Sequence, residues 1–234
     1  MTQPDAAPPE PPTLTDRLRV ITRPIIDPIV TFFAKYKLSP DVLTVLGMLF
    51  HFLFAYLIAQ GDFRLAGVLM LLLAPLDALD GSLARKLGRK QGGFGAYLDS
   101  TLDRLAEVIL FGGFIVYYYS LGPKTVASDF YFFTFSAQAM LVIAYIAITG
   151  SLLVSYSRSK AESLGYEAKV GIGSRVERYF LMIVFLILQR PDIAVVILAV
   201  ITYITVAQRM YSVWAQWIAE MKAEEAEQLA QAEE

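Results

Sequence analysis

The sequence predicts an all-α membrane protein with six transmembrane helices, preceded by an amphipathic helix at the membrane surface. Three observations support this fold class. Hydrophobic residues make up 56% of the 234 residues and charged residues only 18%, below the level of about a quarter that is usual in soluble domains. The apolar residues form long runs, most of them long enough to cross about 30 Å of hydrocarbon. The mean hydropathy of +0.51 agrees with both.

The two ends of the chain differ from its middle. Residues 1–13 hold five of the eleven prolines and almost nothing to bury, so we expect a disordered tail. Residues 14–37 alternate apolar and basic side chains around two prolines, which predicts a juxtamembrane amphipathic helix. Residues 218–234 form an acidic tail, helical or frayed. The transmembrane domain is therefore expected at residues 38–217.

The middle of the chain divides into six apolar segments. We expect spans at about residues 41–60, 63–84, 95–119, 130–155, 179–188 and 193–217. Ser39 and Pro40 give the first span a helix cap and a first helical residue. The fifth is too short unless its helix begins near Arg175, within the preceding loop. Gly112 and Gly113 predict a point of close helix packing, with a dimer contact as a second interpretation.

The basic residues are distributed unevenly. Of the 20 Lys and Arg, five precede the first span, four lie at residues 85–90 and five at residues 158–178, whereas the opposite side holds only Arg64, Lys124 and Arg190. The positive-inside rule therefore places both termini on the cytoplasmic side of the cell membrane. The chain has no Cys and one His. These counts exclude disulfides and thiolate metal sites, and they argue against a Ser-His-Asp triad.

Four carboxylates lie within 27 residues between two long apolar runs. They are Asp77, Asp80, Asp99 and Asp103. The first two are three residues apart and the last two are four apart, so on helices each pair projects from one face. Acids inside a membrane are costly and usually functional, although helix capping and pairing with nearby arginines is the structural alternative. Four acids together need a cation, and Mg²⁺ or Mn²⁺ suits oxygen ligands.

Small residues and an arginine accompany the acids. Gly81 and Ala84 follow on the face of the first acid pair and leave room for a ligand, and Arg85 offers a fork suited to phosphate. With Gly95, this pattern resembles the signature of the CDP-alcohol phosphotransferase family, D-x2-D-G-x2-A-R-x8-G-x3-D-x3-D. One difference is that nine residues, not eight, separate Arg85 from Gly95.

The resemblance implies a function for these residues. The four aspartates would hold two metal ions, and Asp103 would also be the general base that takes the proton of an attacking hydroxyl. The donor, CDP-diacylglycerol, would be bound by Asp41, Thr44, Gly81, Ala84 and Arg85. For Asp41, a favourable position at a helix N-terminus is an equally good explanation. A homodimer is also expected from the resemblance.

A second, basic group follows later in the chain. It consists of Ser155, Arg158, Lys160, Arg175, Arg178 and Arg209. Arg209 lies in an apolar run, where an arginine should face an interior cavity. The surroundings are similar to those of bacterial phosphatidylinositol phosphate synthases within the family, which implies that this group holds the phosphate of inositol phosphate. Topology signals or contacts to lipid headgroups are the alternative.

The expected reaction is transfer of a phosphatidyl group from CDP-diacylglycerol to inositol phosphate, with release of CMP. Glycerol 3-phosphate is the alternative acceptor. A transporter of ions or metals is a distant alternative, because the chain shows no internal repeat. Membrane lipid is an expected partner and nucleic acid is not.

For His51, in the middle of the first span, packing against neighbours is favoured over a catalytic role.

Overall fold

The chain is mostly helical in its computed structural model, which describes residue 24 and residues 27–88, 93–129 and 134–232. The side chains of residues 74–78 and 80 lie outside that description. A short helix, α1, covers residues 27–35. The elements after it are α2 (Pro40–Gln60), α3 (Phe63–Lys86), α4 (Gly93–Ser120), β1 (Val126–Asp129), β2 (Thr134–Ser136), α5 (Ala137–Ser163), α6 (Arg175–Ile187) and α7 (Pro191–Ala232).

Several helices have the length and composition of membrane spans. Among the described residues, α2, α5 and α7 are long and apolar enough to cross a bilayer, and Phe63–Leu73 in α3 is a shorter apolar helix. Large apolar side chains such as Phe52 and Tyr56 of α2 are exposed, as expected where a helix faces lipid. A mostly helical membrane protein is therefore confirmed, while six spans remain a prediction.

The structure describes only part of the N-terminal region, so the predictions for that region can be compared only in part. The expected tail at residues 1–13 and half of the expected amphipathic helix at residues 14–37 lie outside the described residues. The described part, α1, packs through the buried Val30 against Leu43 of α2 and against Leu79 and Leu83 of α3. This small cluster places α1 beside the half of α3 that carries the first acid pair.

Local signals set the ends of α2. Ser39 has an extended backbone before Pro40, and Gly61 ends the helix with a φ of 84°, a left-handed conformation that glycine adopts without strain. The hydroxyl of Ser39 donates to Asp41 Oδ2 at 3.1 Å and does not accept a bond from a backbone N–H of the helix. The helix therefore begins where expected, but the Ser39 hydroxyl bonds to the Asp41 side chain and not to the helix backbone.

Two paired β-strands lie where the fourth span was expected to begin. The span was expected from residue 130, but α5 begins at Ala137 after Ser136 accepts a bond from Ala139 N. The strands β1 and β2 pair antiparallel, with Asp129 opposite Thr134. Short apolar runs are compatible with either a strand or a buried helix, so the pattern alone could not separate them.

The last two helices, α6 and α7, differ greatly in length. Helix α6 begins at Arg175, as the short fifth segment required, and Ser174 N donates to Glu177 Oε2 at 2.8 Å to close its first turn. Helix α7 has 42 residues, which is about 63 Å at 1.5 Å per residue. Because this length is about twice the thickness of the hydrocarbon core, part of α7 must extend beyond the membrane.

The helices pack tightly at small residues. A Cβ on Gly113 of α4 would lie 2.5 Å from the carbonyl oxygen of Ala55 in α2, while a Cβ on Gly112 would meet nothing within 4 Å. Close packing is thus confirmed for Gly113, and its partner lies within the same chain. The same occurs between α5 and α7, where Gly150 faces Thr202. These contacts bring the backbones of the bundle close together.

We predict that Gly113→Ala lowers the unfolding temperature of the detergent-solubilised protein, whereas Gly112→Ala leaves it unchanged or raises it. Overpacking costs about 1–3 kcal/mol, and at Gly113 the obstacle is backbone that cannot rotate away. Thermal unfolding of the two variants and the parent checks this. Equal unfolding temperatures for the two alanine variants would contradict the close approach of α4 to α2.

Candidate functional site

The four acids expected to bind metal lie on two helices. Asp77 and Asp80 are in the second half of α3, but their side chains lie outside the described ones. Asp99 and Asp103 are one turn apart in the first part of α4. Among the described residues, no three His, Cys, Asp or Glu side chains are grouped so that they could hold an ion. The four-aspartate site therefore remains a prediction that needs both helices.

The start of α2 lies against the start of α4. Asp41 Oδ1 is 3.4 Å from the position that a Cβ on Gly95 would occupy, so the glycine of the motif allows this approach. Thr44, one turn further along α2, donates its hydroxyl to Pro40 O at 3.2 Å and lines the cleft described below. Asp41 and Thr44, both expected at the nucleotide, thus lie beside the second acid pair.

The other residues expected at the donor lie at the end of α3. Arg85 Nη1 is 3.5 Å from the position of a Cβ on Gly81, and Arg85 Nη2 donates to Ser82 Oγ at 2.9 Å. Arg85 is exposed and Ala84 half-buried. The arginine thus extends over the small residue, and a larger side chain at residue 81 would compete with it.

A small polar cleft opens between α2, α4 and α6. It is lined by Thr44, Met48, His51, Leu102, Asp103, Ala106 and Arg175. The space that it offers is about enough for one water molecule, which suits a single polar group of a substrate but not a lipid chain. The cleft includes Asp103 of the acid motif and Arg175 of the basic group.

Asp103 and Arg175 form an ion pair in this cleft. Arg175 Nη1 lies 2.7 Å from Asp103 Oδ2, and the two side chains are 33% and 21% exposed. At this partial exposure solvent screens the pair, so we assign it little stability. The pair matters for the chemistry of the site. The Arg175 guanidinium lies beside a carboxylate that the acid motif predicts to bind a cation. The structure thus joins one residue of each predicted group.

A second ion pair lies one helical turn deeper. Arg178 donates from Nη2 and Nε to Glu107 Oε1 at 2.6 and 3.0 Å, and from Nη1 to Gly173 O at 2.7 Å. The two side chains are 1% and 6% exposed. Glu107 is a site residue that the sequence reasoning missed. The available signal was its position four residues after Asp103, on the same face of α4.

The loop at residues 164–174 is held against α7. Buried Arg209 donates from Nε to Val170 O at 3.1 Å and from Nη1 to Val154 O. Two loop glycines make the approach possible, since Gly171 has a φ of 110° and both Gly171 and Gly173 lie against Thr205. Arg209 therefore faces the protein interior, as expected, and it ties α7 to the end of α5 and to the loop.

The same loop has a second attachment further along α7. Tyr166 Oη donates to Glu220 Oε2 at 2.9 Å, and this hydrogen bond raises the pKa of the phenol. Glu167 N donates to Gln216 Oε1, and Gln216 Nε2 donates to Glu167 O, at 2.9 and 2.7 Å. The loop that joins the basic residues of α5 to those of α6 is thus held to α7 by several backbone and side-chain bonds.

The remaining basic residues lie at the end of α5. Arg158 is exposed and pairs with Glu162 at 2.8 Å, Lys160 is exposed, and Ser155 is half-buried. Arg158 and Arg178 both lie near enough to Arg209 to act electrostatically on it. The fold therefore brings three of the predicted arginines together, of which Arg158 is the exposed one.

Comparison with known proteins gives a family and several relatives. The family model described as CDP-alcohol phosphatidyltransferase matches residues 37–219. An archaetidylinositol phosphate synthase from Methanothermobacter thermautotrophicus is 32% identical over 208 residues, covering 86% of this chain and 95% of the relative. A phosphatidylinositol phosphate synthase from Cutibacterium acnes is 34% identical over 161 residues, covering 68% of this chain and 71% of the relative.

The fold is also similar to a solved structure. The crystal structure of Mycobacterium tuberculosis phosphatidylinositol phosphate synthase with CDP-DAG bound superposes with a TM-score of 0.69 at 26% identity. The match covers 81% of this chain and 94% of that one. A second structure of that enzyme is in complex with manganese and citrate.

We predict that Glu107→Gln destabilises the protein by about 3–5 kcal/mol, because it leaves the Arg178 guanidinium buried without its counter-charge. Glu162→Gln breaks the exposed pair with Arg158 and should cost less than about 1 kcal/mol. Unfolding measurements on both variants check this.

A double variant tests whether the stability lost in Glu107→Gln comes from the unpaired charge. Glu107→Leu with Arg178→Met should recover most of the lost stability, because an apolar pair replaces the ion pair. A Glu107→Gln protein as stable as Glu162→Gln would contradict the role of the buried pair.

Proposed function

The chain belongs to the CDP-alcohol phosphatidyltransferase family, and we propose that it transfers a phosphatidyl group from CDP-diacylglycerol to inositol phosphate, giving phosphatidylinositol phosphate and CMP. Relatives named phosphatidylinositol phosphate synthase and archaetidylinositol phosphate synthase support the acceptor. The observation that carries the proposal is the cleft in which Asp103 of the acid motif meets Arg175 of the basic group at 2.7 Å.

The donor is proposed to lie across the cytoplasmic ends of α2 and α3. Asp41, Thr44, Gly81, Ala84 and Arg85 are assigned to it. Arg85 is exposed and presents its planar fork to the donor's phosphates. Gly81 and Ala84 keep the surface beside this arginine low enough for the cytidine to approach. Asp41 lies against Gly95 and so lies between the donor and the second acid pair.

The cofactor is proposed to be Mg²⁺ or Mn²⁺, as two ions held by Asp77, Asp80, Asp99 and Asp103. The donor set fits, because carboxylate oxygens suit hard divalent ions. Bound ions would neutralise the charge that develops on the departing CMP. A structure of a relative in complex with manganese supports this cofactor.

Asp103 is also proposed to be the general base. Its carboxylate takes the proton from the acceptor hydroxyl as that oxygen attacks the phosphorus and the bond to CMP breaks. Arg175 holds the carboxylate within the cleft and offers its other donors to the incoming phosphate. This double contact explains why the two motifs meet here.

The acceptor phosphate is proposed to bind the basic group. Ser155, Arg158, Lys160, Arg175, Arg178 and Arg209 belong to it. Arg158 and Lys160 are exposed and reach an incoming anion first. Arg178 and Arg209 are buried and already donate to protein acceptors. Because Glu107 neutralises Arg178, this arginine fixes the shape of the pocket, whereas Arg209 adds positive potential, which a neutral acceptor would not require.

The membrane arrangement is proposed from the charge distribution. Six spans would place both termini and the active site on the cytoplasmic side of the cell membrane, where the nucleotide is available. The donor's lipid chains would reach the cleft from the bilayer. The protein is proposed to act as a homodimer.

We predict that the purified protein releases CMP from CDP-diacylglycerol only when inositol phosphate and Mg²⁺ or Mn²⁺ are both present. Glycerol 3-phosphate, inositol and serine should give no release, and chelation of the metal should abolish it. Quantification of CMP for each acceptor checks this. If glycerol 3-phosphate is the acceptor that gives release and inositol phosphate gives none, the reaction type is retained and the proposed acceptor is wrong. Donors with phosphatidyl and with archaetidyl groups are compared in the same assay.

Asp103→Asn should lower turnover by at least about 100-fold, because the amide cannot take the proton, while donor binding is retained in part. Asp62→Asn, at the exposed start of α3, is the matched control and should have normal turnover. Steady-state kinetics and donor binding without acceptor are the two measurements. Normal turnover in Asp103→Asn would exclude the aspartate as the base.

A further inference from the structure

We propose that Gln216 of α7 is a positioning residue for the acceptor: it fixes the loop between α5 and α6, and through that loop the exposed cations Arg158 and Lys160. This inference rests on the proposed function. It concerns a residue at the end of the last expected span, outside both the acid motif and the basic group. Three features support it: a two-point hydrogen bond, a tight turn and the order of the loop's contacts along α7.

Gln216 binds both backbone groups of one loop residue. Its side-chain oxygen accepts from Glu167 N at 2.9 Å, and its Nε2 donates to Glu167 O at 2.7 Å. The same Nε2 lies 3.1 Å from Ser212 O, one turn earlier in α7. A side-chain amide offers a donor and an acceptor side by side, so pairing with the N–H and the C=O of a single residue sets both its position and its direction. Gln216 thereby fixes Glu167 on α7.

A tight turn connects the end of α5 to the residue that Gln216 holds. Gly165 has a φ of 90°, a left-handed conformation that glycine adopts without strain. Its N–H donates to Glu162 O at 3.2 Å, and Tyr166 N donates to Ala161 O at 3.0 Å. Ala161 is buried, so the turn is anchored by packing on one side and by Gln216 on the other. Fixing the residue after the turn therefore also fixes the last turn of α5.

The last turn of α5 carries cations that need this support. Arg158 and Lys160 are exposed, and the partner of Arg158 is Glu162 of the same helix, at 2.8 Å. Arg158 also lies near enough to the buried Arg209 for their positive charges to repel, which favours separation of the end of α5 from α7. The amide of Gln216 opposes this separation without adding a negative charge that would compete with a phosphate.

The contacts of the loop follow one face of α7 from the helix extension into the bundle. Inward of Gln216, Arg209 Nε donates to Val170 O at 3.1 Å, and Thr205 lies against Gly171. These three α7 residues are seven and four positions apart, so they project from one face. The inner contacts hold the half of the loop that leads into α6. Loss of the Gln216 contact should therefore release the end of α5 and leave α6 in place.

This division predicts which kinetic constant depends on Gln216. The proton is proposed to pass to Asp103, and the donor is proposed to lie on α2 and α3, so neither step involves the end of α5. Arg158 and Lys160 are proposed to meet the acceptor's phosphate first. A site whose cations are already ordered binds an anion at a lower entropic cost. Loosening them should raise the KM for the acceptor with little change in kcat.

The test is Gln216→Met in the full-length, detergent-solubilised protein. Methionine keeps the length of the side chain and removes both hydrogen bonds to Glu167. The KM for inositol phosphate should rise at least about fivefold, because two bonds that order the loop are lost. The kcat at saturating acceptor and the KM for CDP-diacylglycerol should stay within about twofold of the parent's values.

Controls separate this role from a general loss of structure. Gln228→Met makes the same change in the exposed part of α7 and should leave all three constants at the parent's values. If Gln216→Met does not fold, as judged from its unfolding temperature, Gln216→Asn decides, because its shorter amide cannot reach both backbone groups.

Two results overturn the inference while the parent still uses inositol phosphate. One is an unchanged KM for inositol phosphate in the Gln216 variant. The other is a similar loss in kcat or in the KM for CDP-diacylglycerol, which indicates a general structural effect. A parent that releases no CMP with inositol phosphate overturns the proposed function, and this inference with it.

Discussion

The buried ion pair between Glu107 and Arg178 is the constraint on which the site depends. A guanidinium that is 1% exposed is tolerated only with its counter-charge in place, so α6 must keep one rotation and one depth against α4. Arg175 lies one turn before Arg178, and Asp103 lies one turn before Glu107. Fixing the deeper pair therefore places Arg175 on Asp103 in the cleft.

Close helix packing brings the start of α2 to the same part of α4 as the acid pair. Gly113 allows the backbone of α4 to approach Ala55 of α2, and this contact brings the side chains at the start of α2 next to the second acid pair. Without such small residues two helices lie 8–10 Å apart, and the cleft would be wider. Close packing in the interior thus sets the geometry of polar groups at one end of the helices.

The basic residues serve two purposes that the fold separates. Arg178 and Arg209 are buried and donate to protein oxygens, so they build the walls of the site. Arg158 and Lys160 are exposed and remain accessible to an anion. The loop between α5 and α6 passes from one set to the other, and its bonds to Gln216 and Glu220 hold it against α7. The stretch from α5 to α6 therefore supplies exposed cations and, in Arg178, part of the buried frame.

Local chemistry determined much of this protein from sequence alone. The acid motif identified the family, Ser39 and Pro40 predicted where α2 begins, and the basic residues near α6 were named as a group. These signals depend on residues a few positions apart, which the chain carries whatever its fold. The tertiary structure decided the rest: the partner of Arg178, the place of His51 in the cleft and the hairpin before α5. Each depends on how two distant helices rotate and approach, or on whether an apolar run forms strand or helix, and only packing of the whole chain decides either.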